Sequence, residues 1–211
     1  MRRRMMMSKK NEDKILPSDY VRLNYIESTG TQYINTGYVN SGNYSPYKIE
    51  AEYQFTETST TNISTIFGTA RTTGNTYPFF FGSREKLLLG HFGNSGLMCK
   101  FGISDTNKHT VKYVFGEGVY IDDIFQVETQ EQCQISSNSM KNIGLFATIK
   151  DTTPSFYAKA KIYSCKFYER NDVLVRDFIP ARRISDNKIG LYDLIEGKFY
   201  TNNGTGEFKG G

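Results

Sequence analysis

The run YKIEAEYQF, Tyr47 to Phe55, alternates without a break: Tyr47, Ile49, Ala51, Tyr53 and Phe55 interleave with Lys48, Glu50, Glu52 and Gln54. Successive strand side chains point to opposite faces, so a period of two describes a strand with one dry side, and it clashes with the 3.6-residue period of a helix. The pattern returns in HTVKYVF, with Val111, Tyr113 and Phe115 on one side. It returns again in AKAKIYSCKFY, where Lys159, Lys161 and Lys166 mark the wetter positions.

Turn signals separate these runs: GNSG at Gly93 to Gly96, GEG at Gly116 to Gly118, and ERND at Glu169 to Asp172. The last predicts that KIYSCKFY and VLVRDFIP are neighbouring antiparallel strands. Pro180 is expected to close its strand, because it cannot donate to a ladder. The closing IGLYDLIEGKFYTNNGTGEFK reads as strand, turn, strand, Asn-Gly turn and a last short strand. With 15 Tyr, 15 Phe, no Trp and 19 Gly, the composition favours pleated, half-buried surfaces joined by tight turns. The expected fold is therefore all-β, a two-sheet antiparallel sandwich, with residues 16–211 as one domain behind a short extended arm, residues 1–15. No repeat at a fixed period supports a propeller or solenoid.

Charge is unevenly placed. Of 26 basic and 22 acidic residues, Met1 to Lys14 hold six and two, which leaves 20 of each in the body. A neutral body argues against phosphate-driven nucleic-acid binding, although a local basic patch is compatible with it. The arm lacks the apolar stretch of roughly 7–15 residues that a secretory signal needs, and no run approaches the roughly 18 apolar residues of a membrane span. Arg2, Arg3 and Arg4, three methionines, then Lys9 and Lys10 make a cationic segment suited to docking into a groove on a partner. Cys99, Cys133 and Cys165 form no CxxC and are read as reduced thiols, with Cys165 filling core.

Two segments, LPSDYVRLNYIESTGTQYINTGY near the start and VRDFIPARRISDNKIGLYDLIEGKFYTNNGTGEF at the end, resemble the concanavalin A-like (laminin G-like) jelly-roll modules of phage structural and bacterial surface proteins. The resemblance runs from about Leu16 to the C-terminus and is loosest in the middle. It implies that TQYINTG lies beside the closing hairpin. In that setting Thr31, Tyr33 and Asn35 would face one way and Gln32, Ile34 and Thr36 the other, with Gly30 and Gly37 freeing the backbone at each end. The rival reading has Tyr33 or Tyr38 touching ligand.

Some members of the fold are glycoside hydrolases, whose chemistry needs two carboxyl groups across a cleft, one raised in pKa. No ExDxxE pattern occurs here. Asp122 and Asp123 are adjacent and are expected to form a hairpin turn, with a calcium ligand near Asp122 as the alternative. Neither His91 nor His109 has a nucleophile in a GxSxG-like context, and no GxxxxGK[ST] supports nucleotide binding. The chain is thus read as a non-enzyme with no assigned metal or cofactor.

Sugar sites stack an aromatic ring on the pyranose and surround it with polar side chains. The richest region of that kind is RTTGNTYPFFFGSREKLLLGHFGNSG, where Tyr77, Arg84, His91 and Asn94 are the candidate glycan-binding residues. Phe79 and Phe81 alternate with Phe80, so at least one of these faces is expected to be core. The resulting expectation is a phage virion protein, a head- or tail-fibre component made in the bacterial host cytoplasm. Its arm would dock onto other virion proteins and its jelly roll would bind host-surface glycan. Homo-oligomers, trimers among them, are implied by the resemblance to fibres alone. The alternatives are a purely architectural capsid or tail decoration protein and a glycanase.

Overall fold

The computed structural model describes residues 15–40, 46–58, 61–70, 79–92, 99–128 and 141–211. Residues 1–14 of the basic arm, Cys133, Tyr77 and Asn94 lie outside them. In chain order the strands are β1 (Tyr20–Arg22), β2 (Ile26–Thr29), β3 (Ile34–Asn40), β4 (Lys48–Phe55), β5 (Ser64–Ala70) and β6 (Phe79–Arg84). Next come β7 (Leu87–Phe92), β8 (Cys99–Ile103), β9 (Lys108–Val114), β10 (Gly118–Ile121), β11 (Ile124–Val127), β12 (Lys141–Leu145) and β13 (Thr148–Lys150). The last are β14 (Thr153–Ser155), β15 (Lys159–Glu169), β16 (Val173–Arg183), β17 (Ile189–Asp193), β18 (Lys198–Thr201) and β19 (Lys209–Gly210).

These strands form two sheets. The larger runs β11-β10-β9-β4-β15-β16-β17-β18, with β1 on β16, β2 on β15, and β19 on β2. The smaller runs β14-β13-β5-β6-β7-β8, with β12 joined to both β3 and β5. Aromatic rings fill the space between: Tyr53 of β4 meets Phe81 of β6 at 5.3 Å, and Phe79 meets Tyr113 of β9 at 4.9 Å. The expected sandwich is therefore present, antiparallel except for β13, which runs parallel to β5. The reversal that allows this lies at Phe146, a buried residue with φ of +65°.

The alternation in β4 works as the sequence predicts, with Ile49, Ala51, Tyr53 and Phe55 all buried. In β15 the lysines change parity, from 159 and 161 to 166, yet stay on the wet face. A register shift between Ile162 and Ser164 inserts the extra residue that resets the phase, so Cys165 and Phe167 return to the core. The ERND hairpin pairs β15 with β16 as expected. Pro180 does not end its strand: β16 continues to Arg183. The Pro180 carbonyl accepts from Leu23 N at 3.0 Å, so the missing N–H also faces that side, where the pairing of β16 with β15 has ended at Phe178 and β1 pairs only from Ala181 onward. No ladder donor is lost to β17. Both faces of the PFFF run are covered, since Phe79, Phe80 and Phe81 are all buried, Phe80 beside Phe156.

The TQYINTG stretch crosses from the larger sheet to the smaller, and the closing hairpin holds that corner. Asn202 Oδ1 accepts from Tyr33 N at 3.1 Å, Asn203 Oδ1 accepts from Asn35 N at 2.8 Å, and Asn203 N donates to Tyr33 O at 2.9 Å. Gln32, Ile34 and Thr36 are buried and Thr31, Tyr33 and Asn35 are not. Gly30 and Gly37 sit at φ of +107° and +67°, a region L-residues rarely adopt. Tyr33 packs edge-on against Tyr157, and Tyr38 packs edge-on against Phe167 while its hydroxyl bonds Glu169. Both tyrosines are engaged in packing the corner.

Candidate functional site

Among the described residues, a groove of about 380 Å³ crosses the outer face of the larger sheet. Its walls come from β4 (Glu50, Glu52), β9 (Thr110, Lys112) and β15 (Ser164, Lys166), with Asp123 of the β10–β11 turn at one side. These are the polar halves of the alternating strands. Pairing aligns them: Lys112 opposes Glu50, Glu50 opposes Lys166, and Lys166 opposes Asp177. The row is an alternating-charge ladder, and Tyr120 of β10 extends it beside Lys112.

Tyrosine rings stand around the groove, each with a lysine over it. Lys112 lies 4.4 Å from the Tyr120 ring, Lys108 lies 4.3 Å from Tyr163, and Lys48 lies 4.0 Å from Tyr168. Tyr168 donates its hydroxyl to Glu50 at 2.9 Å, and Tyr163 donates to Gln54 at 2.6 Å. Burial, reinforced by the bond to Glu50, pushes the Tyr168 phenol up and keeps it a donor. Burial also raises the Asp177 carboxyl, although Lys166 at 3.7 Å opposes the shift. Glu50 and Glu52 share a face of β4, but Lys48 holds one at 3.2 Å and Lys108 the other at 2.7 Å.

Asp122 and Asp123 form the two-residue β10–β11 turn, with φ of +49° and +63°. Asp122 Oδ1 accepts from Thr110 N at 2.8 Å, and its Oδ2 meets His109 Nδ1 at 2.6 Å. His109 Nε2 meets Asp105 at 2.9 Å. Among the described residues no group of three or more His, Cys, Asp and Glu is arranged to hold a metal ion. Partial burial opposes the charge on His109, but the bonds to Asp122 and Asp105 outweigh it and raise the imidazole above its ordinary value. Asp105 is depressed, first by the Asn107 amide and then by His109. Asp122 is depressed too, since Thr110 and His109 overcome its desolvation.

A pH dependence follows. A raised histidine contributes fully below its unfolded value near 6.5 and loses that contribution as pH rises through the higher folded value. The depressed carboxylates contribute above about 3.9 and lose it on acidification through their lower folded values. The cluster's contribution should therefore be largest between about pH 4 and 6.5 and fall by roughly 0.5–1 kcal/mol toward pH 9, a screened ion-pair magnitude. Urea unfolding across pH 5–9 should show this decline in the natural chain and not in His109→Gln. Equal slopes would exclude the clamp.

Of the predicted glycan-binding residues, Tyr77 and Asn94 lie outside the described residues, and Arg84 and His91 belong to β6 and β7 of the smaller sheet, not to the strands that wall the groove. Arg84, at the end of β6, pairs with Glu85 at 3.1 Å beside the β6–β7 turn. His91 lies in β7 in register with Phe80, whereas Arg84 is in register with Leu87, roughly 13 Å away along the strand. The groove residues carried no recognisable motif. Their one sequence signal was the wet side of each alternating run, and the strand order that joins those sides is set by long-range pairing. A smaller hollow of about 240 Å³ lies beside the closing hairpin, and its Asn202 already holds the Tyr33 corner.

No protein-family model and no curated protein matches the chain. Among solved structures, the chain is similar to the Ruminococcus gnavus IT-sialidase CBM40 bound to alpha2,3 sialyllactose, with a TM-score of 0.48 and 11% identity over 71% of this chain and 89% of that one. A second structure of that CBM40 gives 0.46 and 11% over the same shares. The Trypanosoma rangeli sialidase in complex with the inhibitor DANA gives 0.43 and 9%, over 59% of this chain and 21% of that one. At such identity these are likenesses of fold, and no residue role is carried over from them.

Proposed function

We propose that this chain is a non-catalytic, lectin-like protein that binds glycan in the groove across β4, β9 and β15. The observation that carries the reading is the groove itself, a row of alternating ammonium, carboxylate and hydroxyl groups bordered by tyrosine rings. An ammonium offers three donors and a carboxylate about four acceptor sites, so paired walls still have capacity for sugar hydroxyls. The sequence resemblance supports the setting: a virion fibre component, with Arg2, Arg3, Arg4, Lys9 and Lys10 docking the arm onto other virion proteins. Many copies on a particle would raise weak binding through avidity.

A glycan array with the full chain tests the reading. Retention of at least one glycan is expected, with a loss of tenfold or more in Glu50→Gln/Lys166→Met. If Arg84→Ala or His91→Ala abolishes retention and the groove variant does not, the site belongs to the β6–β7 region. Failure to retain any sugar leaves the architectural reading. Among the described residues, the raised carboxyl of Asp177, on the same row as Glu50, favours a glycanase. Polysaccharide turnover that disappears in Asp177→Asn would establish it.

A further inference from the structure

We infer that the groove selects uncharged glycans and disfavours sialylated or sulfated ones; this rests on the glycan-binding reading above. The inference comes from how the wall charges are already matched. Lys112 is paired with Asp123 at 3.8 Å, Lys166 with Asp177 at 3.7 Å, Glu50 with Lys48 at 3.2 Å, and Glu52 with Lys108 at 2.7 Å. The groove is lined by three carboxylates, Glu50, Glu52 and Asp123, against two ammonium groups, Lys112 and Lys166. An anionic ligand that approaches a lysine competes with that lysine's carboxylate and lies beside the other carboxylates of the wall.

A neutral sugar meets no such conflict. Its hydroxyls both donate and accept, so they can bridge neighbouring rungs of the ladder while every ion pair stays intact. Asp123 is the most accessible of these carboxylates, with its side chain 92% exposed. It stands at the groove's edge, where a charged substituent would approach. Where an anionic ligand draws Lys112 away from Asp123, a negative charge within about 4 Å of that carboxylate in water is disfavoured about fivefold, more where water is excluded.

The test compares neutral oligosaccharides with the same cores carrying sialic acid or sulfate, titrated against the full chain at low and high salt. Neutral cores should bind with little salt dependence. The charged counterparts should bind about fivefold or more weakly at low salt, a gap that narrows as salt screens it. Asp123→Asn preserves a residue suited to the left-handed turn and should narrow the gap between charged and neutral ligands. Equal or tighter binding of the charged ligand, or a gap unmoved by Asp123→Asn, overturns the inference. If the charged ligand binds tighter and loses that binding in Lys166→Met, the glycan-binding reading survives alone. If neither class binds, both fall.

Discussion

Arg176→Met should lower the free energy of unfolding by about 3–5 kcal/mol, the usual result of stranding a buried charge. Asp193 is fully buried at the end of β17, and the Arg176 guanidinium is its counter-charge, Nε to Oδ2 at 3.3 Å. Neither of those two atoms has a hydrogen-bond partner among the described residues, so charge alone joins them. The other carboxylate oxygen accepts from Asp177 N at 3.0 Å and Ile195 N at 2.9 Å, which fixes the β17–β18 turn. Arg176 also reaches Glu196 at 3.3 Å and covers the Tyr38 ring at 5.2 Å. Methionine keeps much of the stem's volume and removes the charge. A domain has only about 5–15 kcal/mol in total, so the midpoint of urea unfolding should fall sharply with its slope unchanged. Adding Asp193→Asn should recover part of the loss, because an amide oxygen still accepts from both backbone donors. A single-variant loss below about 1 kcal/mol would mean that water reaches Asp193.

Phe167→Ala should cost about 3–5 kcal/mol through the cavity left in the core. Phe167 is fully buried, with Tyr38 at 5.5 Å and Phe178 at 5.6 Å, both edge-on, and Phe178 passes the contact on to Tyr200 at 5.5 Å. The ring thus joins the TQYINTGY corner to the strands that close the chain. For a chain of this size the melting temperature should drop by roughly 6–20 °C. Phe167→Leu should cost less than about 1.5 kcal/mol if the neighbours repack. Equal effects from the two variants would show that ring stacking, beyond volume, dominates the site.

The fold was legible because alternation is a local signal. Ile49 to Phe55 and Val111 to Phe115 declare their buried faces within a few residues, and ERND declares its hairpin. The parity change in β15 was legible only as a pattern of lysines, since a bulge becomes visible when Ser164 finds Glu52 as its partner. Pro180 was misread because the rule against proline in a sheet concerns the missing donor, and the gap between β15 and β1 makes that donor unnecessary. The groove was not legible at all. Glu50, Lys112, Lys166 and Asp177 lie on four different strands, and nothing local places them in one row. Of the candidate residues read from sequence, Tyr77 and Asn94 lie outside the described residues, and strand register separates Arg84 from His91.

The strand at the centre of the larger sheet is late in the chain. β15 supplies the edge on which β2, β4 and β16 all assemble, and the corner at Tyr33 waits for Asn202 and Asn203. During synthesis the chain through Glu169 must therefore leave the ribosome before that sheet has its organiser. Until then one backbone edge of β2 and one of β4 await their partner. Such delayed, distant pairing makes folding slow and exposes nascent strands to aggregation, so production of this protein should benefit from slower translation or holding chaperones.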